Sequence, residues 1–369
     1  EDWENGGFGI YIHWPFCTAK CPYCDFNSHV RSNINQKQWL KAYLNEIKRV
    51  SEKTSNRILN SVFFGGGTPS LIEPSIIGDV LNEIQKHWKT KNNFEVTLEA
   101  NPGSVDAKNF KAYKEAGVNR TSMGIQSLNT KDLKALGRTH TVEEALAAFE
   151  IAQQNFKAVS FDLIYARQNQ NISQWEKELS LALSLEASHM SLYQLTIEQG
   201  TAFGDRYNRG LLKGLPNDDT SADMYDLTLS LCEDRGLVSY EVSNYAHEGY
   251  ESIHNLIYWR YGDYIGIGPG AHGRLTIDGK KYATETVLSP EAWLKKVECD
   301  GSGESNSVVL TDQQQAAEFV MMGLRLKEGI NYQRFKDLSG STFSKTKLNF
   351  LKDLNLIKQK DGYIATTNS

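Results

Sequence analysis

The chain has 369 residues, enough for one large domain with a smaller appendage, and its hydrophobic fraction of 40% can supply a substantial core. Lysine and arginine number 40 against 45 acidic residues, so the net charge of −5 argues against a general attraction for nucleic acid. No apolar run is long enough to cross a bilayer, and five cysteines without a signal-like segment argue against a secreted, disulfide-bonded protein. We predict a cytoplasmic protein that has no transmembrane segment and does not bind nucleic acid; peripheral membrane contact stays open. Because the sequence opens at Glu1 without methionine, we expect part of the native N-terminus to precede it.

Short apolar runs alternate with longer amphipathic stretches from residue 9 to about residue 200. The runs that predict strands are residues 9–14, 61–65, 95–100, 120–127, 159–165 and 189–197. Between them, Trp39, Tyr43 and Ile47 recur at helical spacing, and Thr141 precedes Glu144 as in a capping box. This alternation predicts an α/β fold of repeated βα units around a parallel sheet. Six units predict an incomplete (β/α)6 TIM-like barrel rather than the full eightfold barrel.

The loop after the first predicted strand contains Cys17, Cys21 and Cys24 in a C-x₃-C-x₂-C pattern. Such a loop places three thiolates close together in space. A [4Fe–4S] cluster is usually held by four cysteines, so three ligands leave one iron open. The open iron can bind a small molecule through nitrogen and oxygen, as S-adenosylmethionine binds in radical enzymes.

Structural zinc is the alternative interpretation of this loop, with His13 or His29 as the fourth ligand. Zinc sites usually contain two separated ligand pairs, which this stretch lacks. A disulfide is favoured even less. The remaining cysteines, Cys232 and Cys299, are isolated, and Cys232 lies on an apolar helical stripe that is typical of a core residue.

Polar or glycine residues follow each predicted strand, where parallel βα folds bind their ligands. After the cysteine loop these are the Gly-Gly-Gly-Thr-Pro run at residues 65–69, then Glu99, Gln126, Asp162 and the pair Tyr193–Gln194. The glycine run is not a P-loop because no Gly-Lys-Ser/Thr follows. Its exposed backbone N–H and C=O groups could bind an amino acid or nucleoside, although a plain tight turn is also consistent. Together, these strand ends predict one binding site.

The segment after the barrel contains two motifs that each allow more than one interpretation. Residues 268–273 match G-x-G-x-x-G, but the proline and the strand-like continuation exclude a dinucleotide fingerprint. Residues 254–259 read His-Asn-Leu-Ile-Tyr-Trp, in which His254 is either a structural residue or an axial haem ligand. The chemistry alone favours the structural role.

The C-terminal third is predicted to be helical with a final hairpin. Residues 219–235 predict a helix capped by Gly236, and residues 300–307 have the composition of a linker. Three further helices are predicted at residues 313–326, 332–338 and 344–354, followed by a hairpin at 358–366 around Asp361–Gly362. This order resembles a winged helix, although the absence of a basic recognition helix disfavours DNA binding. We predict three domains. The first, residues 1–236, is the incomplete barrel, and the second, residues 237–300, is an extension that carries the H-N-x-x-Y-W motif. The third, residues 308–369, is a small C-terminal α+β winged-helix-like domain.

Six short motifs resemble those of one enzyme family along nearly the whole chain. They are Tyr-Ile-His-Trp-Pro-Phe-Cys at 11–17, Cys-Pro-Tyr-Cys-Asp-Phe-Asn-Ser-His at 21–29, Gly-Gly-Gly-Thr-Pro at 65–69, Glu-Ala-Asn-Pro at 99–102, Gly-Ile-Gln-Ser at 124–127 and Leu-Gly-Arg-Thr-His at 136–140. They resemble the coproporphyrinogen-dehydrogenase-like branch of the radical S-adenosylmethionine enzymes. Within that branch the chain is most similar to the haem chaperones of the HemW type.

The resemblance implies that Cys17, Cys21 and Cys24 hold a [4Fe–4S] cluster whose open iron binds S-adenosylmethionine. The residues implied to line the cofactor site are Tyr11, Tyr23, Gly66, Gly67, Thr68, Glu99, Gln126, Arg138, Asp162 and His272. A carboxylate for the ammonium group or the ribose, an arginine for a carboxylate, and backbone groups for the methionyl end suit such a cofactor.

Two features separate the members of this branch. The dehydrogenases carry a fourth cysteine two positions after the third, where this chain has Phe26. The chaperone-like members carry H-N-x-x-Y-W, and its implied part in haem binding makes His254 the favoured haem ligand. The chain departs from the family after Asp-Leu-Ile-Tyr, where residues 165–170 lack the usual proline-containing turn.

The resemblance therefore implies a haem chaperone that binds a cluster, S-adenosylmethionine and haem and hands haem to apo-proteins. The alternative is an oxygen-independent coproporphyrinogen III dehydrogenase, in which a 5′-deoxyadenosyl radical abstracts hydrogen from a propionate. Since residues 240–273 carry only Arg260 as a fixed cation, they suit haem better than a tetra-anionic porphyrinogen. An RNA-modifying enzyme is a third possibility, disfavoured by the acidic charge balance.

Overall fold

The computed structural model describes residues 1–103 and 107–367. The strands are β1 (Phe8–Trp14), β2 (Phe16–Cys17), β3 (His29–Val30), β4 (Ile58–Gly66), β5 (Lys89–Ala100), β6 (Arg120–Gln126), β7 (Ala158–Tyr165), β8 (His189–Gln194), β9 (Val238–Ser239), β10 (Asn244–Ala246), β11 (Asp263–Ile267), β12 (His272–Ile277), β13 (Lys280–Thr286), β14 (Glu304–Val309), β15 (Ile330–Asn331), β16 (Ile357–Lys360) and β17 (Tyr363–Thr366). The helices are α1 (Gln36–Thr54), α2 (Pro74–His87), α3 (Phe110–Glu115), α4 (Thr130–Ala135), α5 (Val142–Asn155), α6 (Ile172–Leu183), α7 (Ala202–Asn208), α8 (Asp218–Glu233), α9 (Ile253–Trp259), α10 (Pro290–Asp300), α11 (Asp312–Gly323), α12 (Tyr332–Ser339) and α13 (Lys345–Asp353), with 3₁₀ turns at Asp2–Asn5 and Pro69–Leu71. Within these described ranges, no helix is long and apolar enough to cross a membrane.

Six parallel strands form the incomplete barrel that the sequence predicts. In the large sheet the strand order runs β14-β13-β12-β11-β1-β4-β5-β6-β7-β8-β10-β9. Strands β1 and β4 to β8 are parallel neighbours in chain order, with helices in the connections between them. All six predicted strands are present, and their carboxyl ends lie on one edge of the sheet.

An extension that the sequence did not predict continues the sheet on the other side of β1. Strand β11 pairs in parallel with β1, and β12, β13 and β14 follow as antiparallel strands. The linker prediction for residues 300–307 is wrong, because Glu304–Val309 form the edge strand β14 on β13. The side chains of this edge strand are largely exposed, so it needs no apolar face. Its sequence is therefore polar, like that of a linker, which is why the pattern did not predict a strand.

Alternation along β1 separates an apolar outer layer from a more polar barrel interior. Ile10 and Ile12 are fully buried in the main core, whereas Tyr11 between them points into the barrel beside His13. Helix α1 begins after Asn35, whose side chain accepts a hydrogen bond from Gln38 N, and it covers the outer face. The predicted capping box at Thr141 also begins helix α5.

The helix predicted at residues 219–235 is α8, which ends two residues earlier. Gly236 takes a φ of 74°, and Leu237 N donates to Cys232 O at 3.0 Å, as in a Schellman motif. Cys232 is fully buried, which confirms its prediction as a core residue. Gly236 therefore stops the helix, as predicted.

The C-terminal residues form a second, smaller core with three helices and a three-stranded sheet. Its buried members are Tyr261, Phe319, Ile330, Ile357 and Ile364. The predicted hairpin is confirmed: Asp361 and Gly362 have φ values of 50° and 83° between β16 and β17. The three predicted helices correspond to α11, α12 and α13. The exact domain boundaries stay a prediction, since Tyr261 lies before β11 yet packs in this core.

Candidate functional site

The cysteine loop begins at the carboxyl end of β1. Cys17 is buried in strand β2, whereas Cys21 and Cys24 are partly exposed, and all three are free thiols. Cys24 N donates to Cys21 O at 3.1 Å, and the Cys24 sulfur lies 3.8 Å from the Ser28 hydroxyl. Burial raises the pKa of Cys17 and of Cys24. Because these thiols hold their protons more tightly, a cationic centre that binds them must displace those protons.

The structure disfavours the zinc alternative for this loop. His13 is bonded through both ring nitrogens, to Tyr11 OH at 3.0 Å and Asn27 O at 2.9 Å, and His29 Nε2 lies 3.0 Å from Asn27 Oδ1. In residues 1–103 and 107–367, no group of three or more His, Cys, Asp or Glu side chains is arranged around a single metal ion. Ligands of a [4Fe–4S] cube bind different irons and therefore lie further apart than the ligands of one ion. The assignment of the three cysteines to such a cube stays a prediction.

The triple-glycine turn packs its backbone against the start of the cysteine loop. Gly67 N donates to Trp14 O at 2.6 Å and Thr68 N to Phe16 O at 2.9 Å. A Cβ on Gly67 would lie 2.6 Å from Phe16 O, so only glycine permits this approach. Gly66 N donates to Glu99 Oε2 at 3.0 Å. The N–H groups of Gly66, Gly67 and Thr68 are thus used within the protein, which leaves backbone carbonyl oxygens for a ligand.

Two carboxyl groups inside the barrel, Glu99 on β5 and Asp162 on β7, are close enough for their charges to interact. Burial and the neighbouring charge of Asp162 raise the pKa of Glu99 to about 8. Burial raises the pKa of Asp162 to about 6, although hydrogen bonds from Ser191 and Ser122 lower it; the Ser122 hydroxyl lies 3.3 Å from Oδ1. A pair that cannot easily carry two charges attracts a cation such as an ammonium group.

Arg138 joins three parts of the site. Its guanidinium donates to Cys21 Sγ at 3.4 Å, to Asn101 Oδ1 at 2.9 Å and to Gly124 O at 2.8 Å. Its Nε is buried without a hydrogen-bond partner. This unpaired donor fits the carboxylate of an incoming ligand.

Asn101 is a site residue that the sequence-based list omitted. It accepts from Arg138 and donates to Thr68 Oγ1 at 3.4 Å, so it connects two predicted residues. The signal was present, because Asn101 lies in the same motif as Glu99 at residues 99–102. Its role depends on a contact between distant strands.

The remaining predicted residues divide into those at the mouth of the barrel and one on the sheet extension. Gln126 ends β6 with a φ of 71°, uncommon for a residue with a side chain, and Tyr23 packs on Phe203 with ring centroids 6.4 Å apart. Tyr11 lies inside the barrel below the cysteine loop. By contrast, His272 begins β12 and is 63% exposed. Among the described residues, it makes no hydrogen bond to any other predicted site residue.

His254 lies inside the base of the barrel and is 1% exposed. Its Nδ1 lies 2.8 Å from Ser61 Oγ, its Nε2 lies 2.8 Å from Tyr258 OH, and its ring stacks on Phe63. Burial lowers its pKa to about 3, so the ring is neutral. Neither nitrogen is free to bind iron in this arrangement. The haem role stays a prediction that requires one of these two hydrogen bonds to break, since iron binds a single ring nitrogen.

Helix α9, which carries His254, closes the base of the barrel. Glu95 on β5 accepts hydrogen bonds from Ile253 N and His254 N, both at 3.0 Å. A carboxylate at a helix N-terminus is favourable because it satisfies free N–H groups. Arg120 lies 3.8 Å from this carboxylate. The H-N-x-x-Y-W motif is therefore part of the barrel floor.

Comparison with known families agrees with this geometry. Residues 11–182 match the Radical SAM superfamily, and residues 310–369 match the HemN C-terminal domain. The fold is similar to that of coproporphyrinogen III oxidase (HemN) from Escherichia coli, with a TM-score of 0.82 at 19% identity. That similarity covers 99% of this chain and 87% of the other chain.

Curated relatives match along almost the whole sequence. Heme chaperone HemW of Haemophilus influenzae is 39% identical over 367 residues, which cover 97% of this chain and 93% of that protein. Heme chaperone HemW of Bacillus subtilis is 34% identical, with 97% and 94% covered. Radical S-adenosyl methionine domain-containing protein 1 of Danio rerio is 39% identical, with 89% and 74% covered. The chain therefore belongs to the HemW family within the radical SAM superfamily.

Proposed function

We propose that the protein is a haem chaperone that binds a [4Fe–4S] cluster, S-adenosylmethionine and haem and delivers haem to apo-proteins. The observation that carries this proposal is the convergence of the cysteine loop, the carboxyl pair and Arg138 at one mouth of a radical SAM barrel. The names of the HemW relatives support haem as the cargo. Phe26, in place of a fourth cysteine, supports a chaperone over a dehydrogenase.

The chain's own residues account for how the cofactors would be held. The thiolates of Cys17, Cys21 and Cys24 would hold the cluster and leave one iron open. When bound, the cluster and S-adenosylmethionine together supply one-electron chemistry. Glu99 would accept a hydrogen bond from the amino group of S-adenosylmethionine, for which it must lose its proton. The free Nε of Arg138 would bind the carboxylate.

The test compares haem with coproporphyrinogen on anaerobically reconstituted, full-length protein. We expect ferric haem to bind with a Soret shift and to transfer to an added apo-haem protein such as apomyoglobin. We expect no protoporphyrinogen when coproporphyrinogen III, S-adenosylmethionine and a reductant are supplied. Steady conversion of coproporphyrinogen would overturn the proposal in favour of the dehydrogenase, and a protein that binds no haem would overturn it outright.

A further inference from the structure

The occupied nitrogens of His254 raise the question of which side chain could bind haem iron. The chain has eight histidines, and all of them lie among the described residues. Seven make at least one hydrogen bond to a protein group through a ring nitrogen. Within residues 1–103 and 107–367, His272 is the exception. It is also the most open to solvent, with 63% of its side chain exposed.

His272 lies next to the cofactor site although it belongs to the sheet extension. Strand β11 pairs with β1 so that Gly266 stands opposite Tyr11, which faces the barrel interior. A side chain on Gly266 would collide with the backbone oxygen of His272, so β12 crosses directly over the end of β11. The turn before β12 also approaches β1, because a Cβ on Gly268 would meet His13 O. The imidazole is therefore carried on the rim beside the cysteine loop.

A carboxylate stands beside one nitrogen of this imidazole. Nδ1 of His272 lies 3.9 Å from Glu285 Oε1, its cross-strand partner on β13. Metal-bound histidines usually present their second ring nitrogen to a carboxylate or carbonyl, which fixes the tautomer and raises ligand basicity. At 3.9 Å this contact is too long for a hydrogen bond, but it places the carboxylate on the Nδ1 side of the ring and leaves Nε2 for a metal.

Large apolar side chains are exposed on the segments that flank this rim. Phe26 is 56% exposed and Leu288 is 65% exposed. The Asn27 side chain donates to Pro269 O at 2.9 Å and to Leu288 O at 2.8 Å, which ties both segments to the turn before His272. Exposed apolar residues grouped on a surface mark a binding site more often than scattered ones. A planar apolar macrocycle with a central iron matches an unpaired imidazole beside such residues.

We propose that His272 is the axial ligand of bound haem, through Nε2, with Glu285 supporting Nδ1 and with Phe26 and Leu288 against the macrocycle. This inference rests on the proposed haem-binding function. Ligation uses the lone pair of a neutral imidazole and transfers no electron. It places the haem beside the cluster loop, on the opposite side of the barrel from the base that holds His254.

The test titrates ferric haem into full-length, cluster-reconstituted His272→Ala, His254→Gln and wild-type protein. In His272→Ala we expect a Soret band shifted from the wild-type position and a Kd at least tenfold higher, with added imidazole restoring the wild-type band. His247→Ala is the matched control: that imidazole is also near the surface but is bonded to Gly236 O at 3.0 Å, and its removal should change neither quantity. Thermal unfolding of each variant checks that the fold is intact.

The outcomes separate this inference from the function on which it rests. If wild-type protein binds no haem, the proposed function itself fails. If wild-type protein binds haem and His272→Ala keeps the wild-type Soret band and Kd, the function stands and the assignment of His272 is wrong. Loss of the wild-type band in His254→Gln, with His272→Ala unchanged, would return the ligand to the H-N-x-x-Y-W motif.

Discussion

At the scale of single residues, Glu99 shows how the barrel interior prepares for a cationic ligand. With a pKa of about 8, this carboxyl group is mostly protonated at neutral pH. Burial is the main cause of this raised pKa, and the charge of Asp162 is the second cause. The same burial that keeps Glu99 neutral strengthens its attraction for an ammonium group once the proton leaves. Binding of S-adenosylmethionine should therefore be linked to the release of a proton.

This linkage predicts that affinity for S-adenosylmethionine depends on pH. Because only ionised Glu99 attracts the amino group of S-adenosylmethionine well, Kd should fall as pH rises from about 6 towards 8, by about tenfold per unit below the pKa of Glu99. Isothermal titration calorimetry of cluster-reconstituted protein from about pH 6 to 8.5 measures this profile. In Asp162→Asn, which removes the charge that raises the Glu99 pKa, the profile should level off at lower pH. A Kd independent of pH in wild-type protein would contradict the assignment of Glu99.

The cysteines give a second prediction at this scale. Replacing Cys17, Cys21 or Cys24 by alanine removes one of only three thiolate ligands, so each variant should fail to hold a cluster. Anaerobic reconstitution followed by iron and sulfide analysis should find about four of each per wild-type chain. Cys299→Ala is the control, because that thiol is exposed and isolated. One equivalent of zinc without iron in the wild-type protein would show that the loop is a zinc site.

At the scale of elements, the loop after β7 holds the end of the neighbouring strand β6. Arg167 is buried and donates to the carboxylates of Asp132, at 2.9 Å, and Glu178. Glu178 in turn accepts from Ser127 Oγ at 2.6 Å and Leu128 N at 2.7 Å, directly after Gln126. The stretch where the sequence departs from its family is thus an ion-pair network that fixes the position of Gln126. This ion-pair network replaces the usual proline-containing turn, and Gln126 is still held in position at the end of β6.

This loop also contains a residue in a costly backbone conformation. Ala166 has a φ of 54°, a left-handed conformation that costs an L-residue about 1–2 kcal/mol relative to glycine. Glycine removes this cost, but it loses about 0.5–1 kcal/mol more entropy on folding and gives up a methyl group that is buried in the core, so Ala166→Gly should leave the free energy of unfolding about unchanged. Chemical denaturation measures the change. Ala135→Gly is the control, because this exposed residue ends helix α4 with ordinary geometry and should lose stability. Equal losses in both variants would show that Ala166 carries no strain.

At the scale of the whole molecule, the chain builds a barrel that is closed at one end and open at the other. Helix α9 fills the base, and the cysteine loop, the glycine turn and the ends of β5 to β7 surround the mouth. The sheet extension brings β12 and its histidine to the same rim. A cofactor and a second ligand could therefore meet at this mouth.

The sequence alone determined the six barrel strands and the terminal hairpin, and it predicted most residues of the candidate cofactor site. These follow from local patterns: alternation of apolar runs with helical stretches, an Asp-Gly turn, and the rule that ligands bind where parallel strands end. Glu99, Gln126 and Asp162 could be identified because each lies in the carboxyl-terminal half of a barrel strand. The three cysteines lie within eight residues, so the local sequence was enough to predict a cluster-binding loop.

Only the tertiary structure decided where β11 and β14 pair and what His254 contacts. It also decided which backbone groups of the glycine turn remain available to a ligand. Each depends on partners far apart in the chain: β11 joins β1, residues 304–309 join β13, and His254 bonds to Ser61. A sequence pattern shows that a histidine can bind iron, but not whether its nitrogens are already bonded. That depends on long-range packing, which local periodicity does not encode. For the same reason, only the folded chain shows that the His272 imidazole makes no hydrogen bond within the described residues, although the sequence already named this residue as part of the cofactor site.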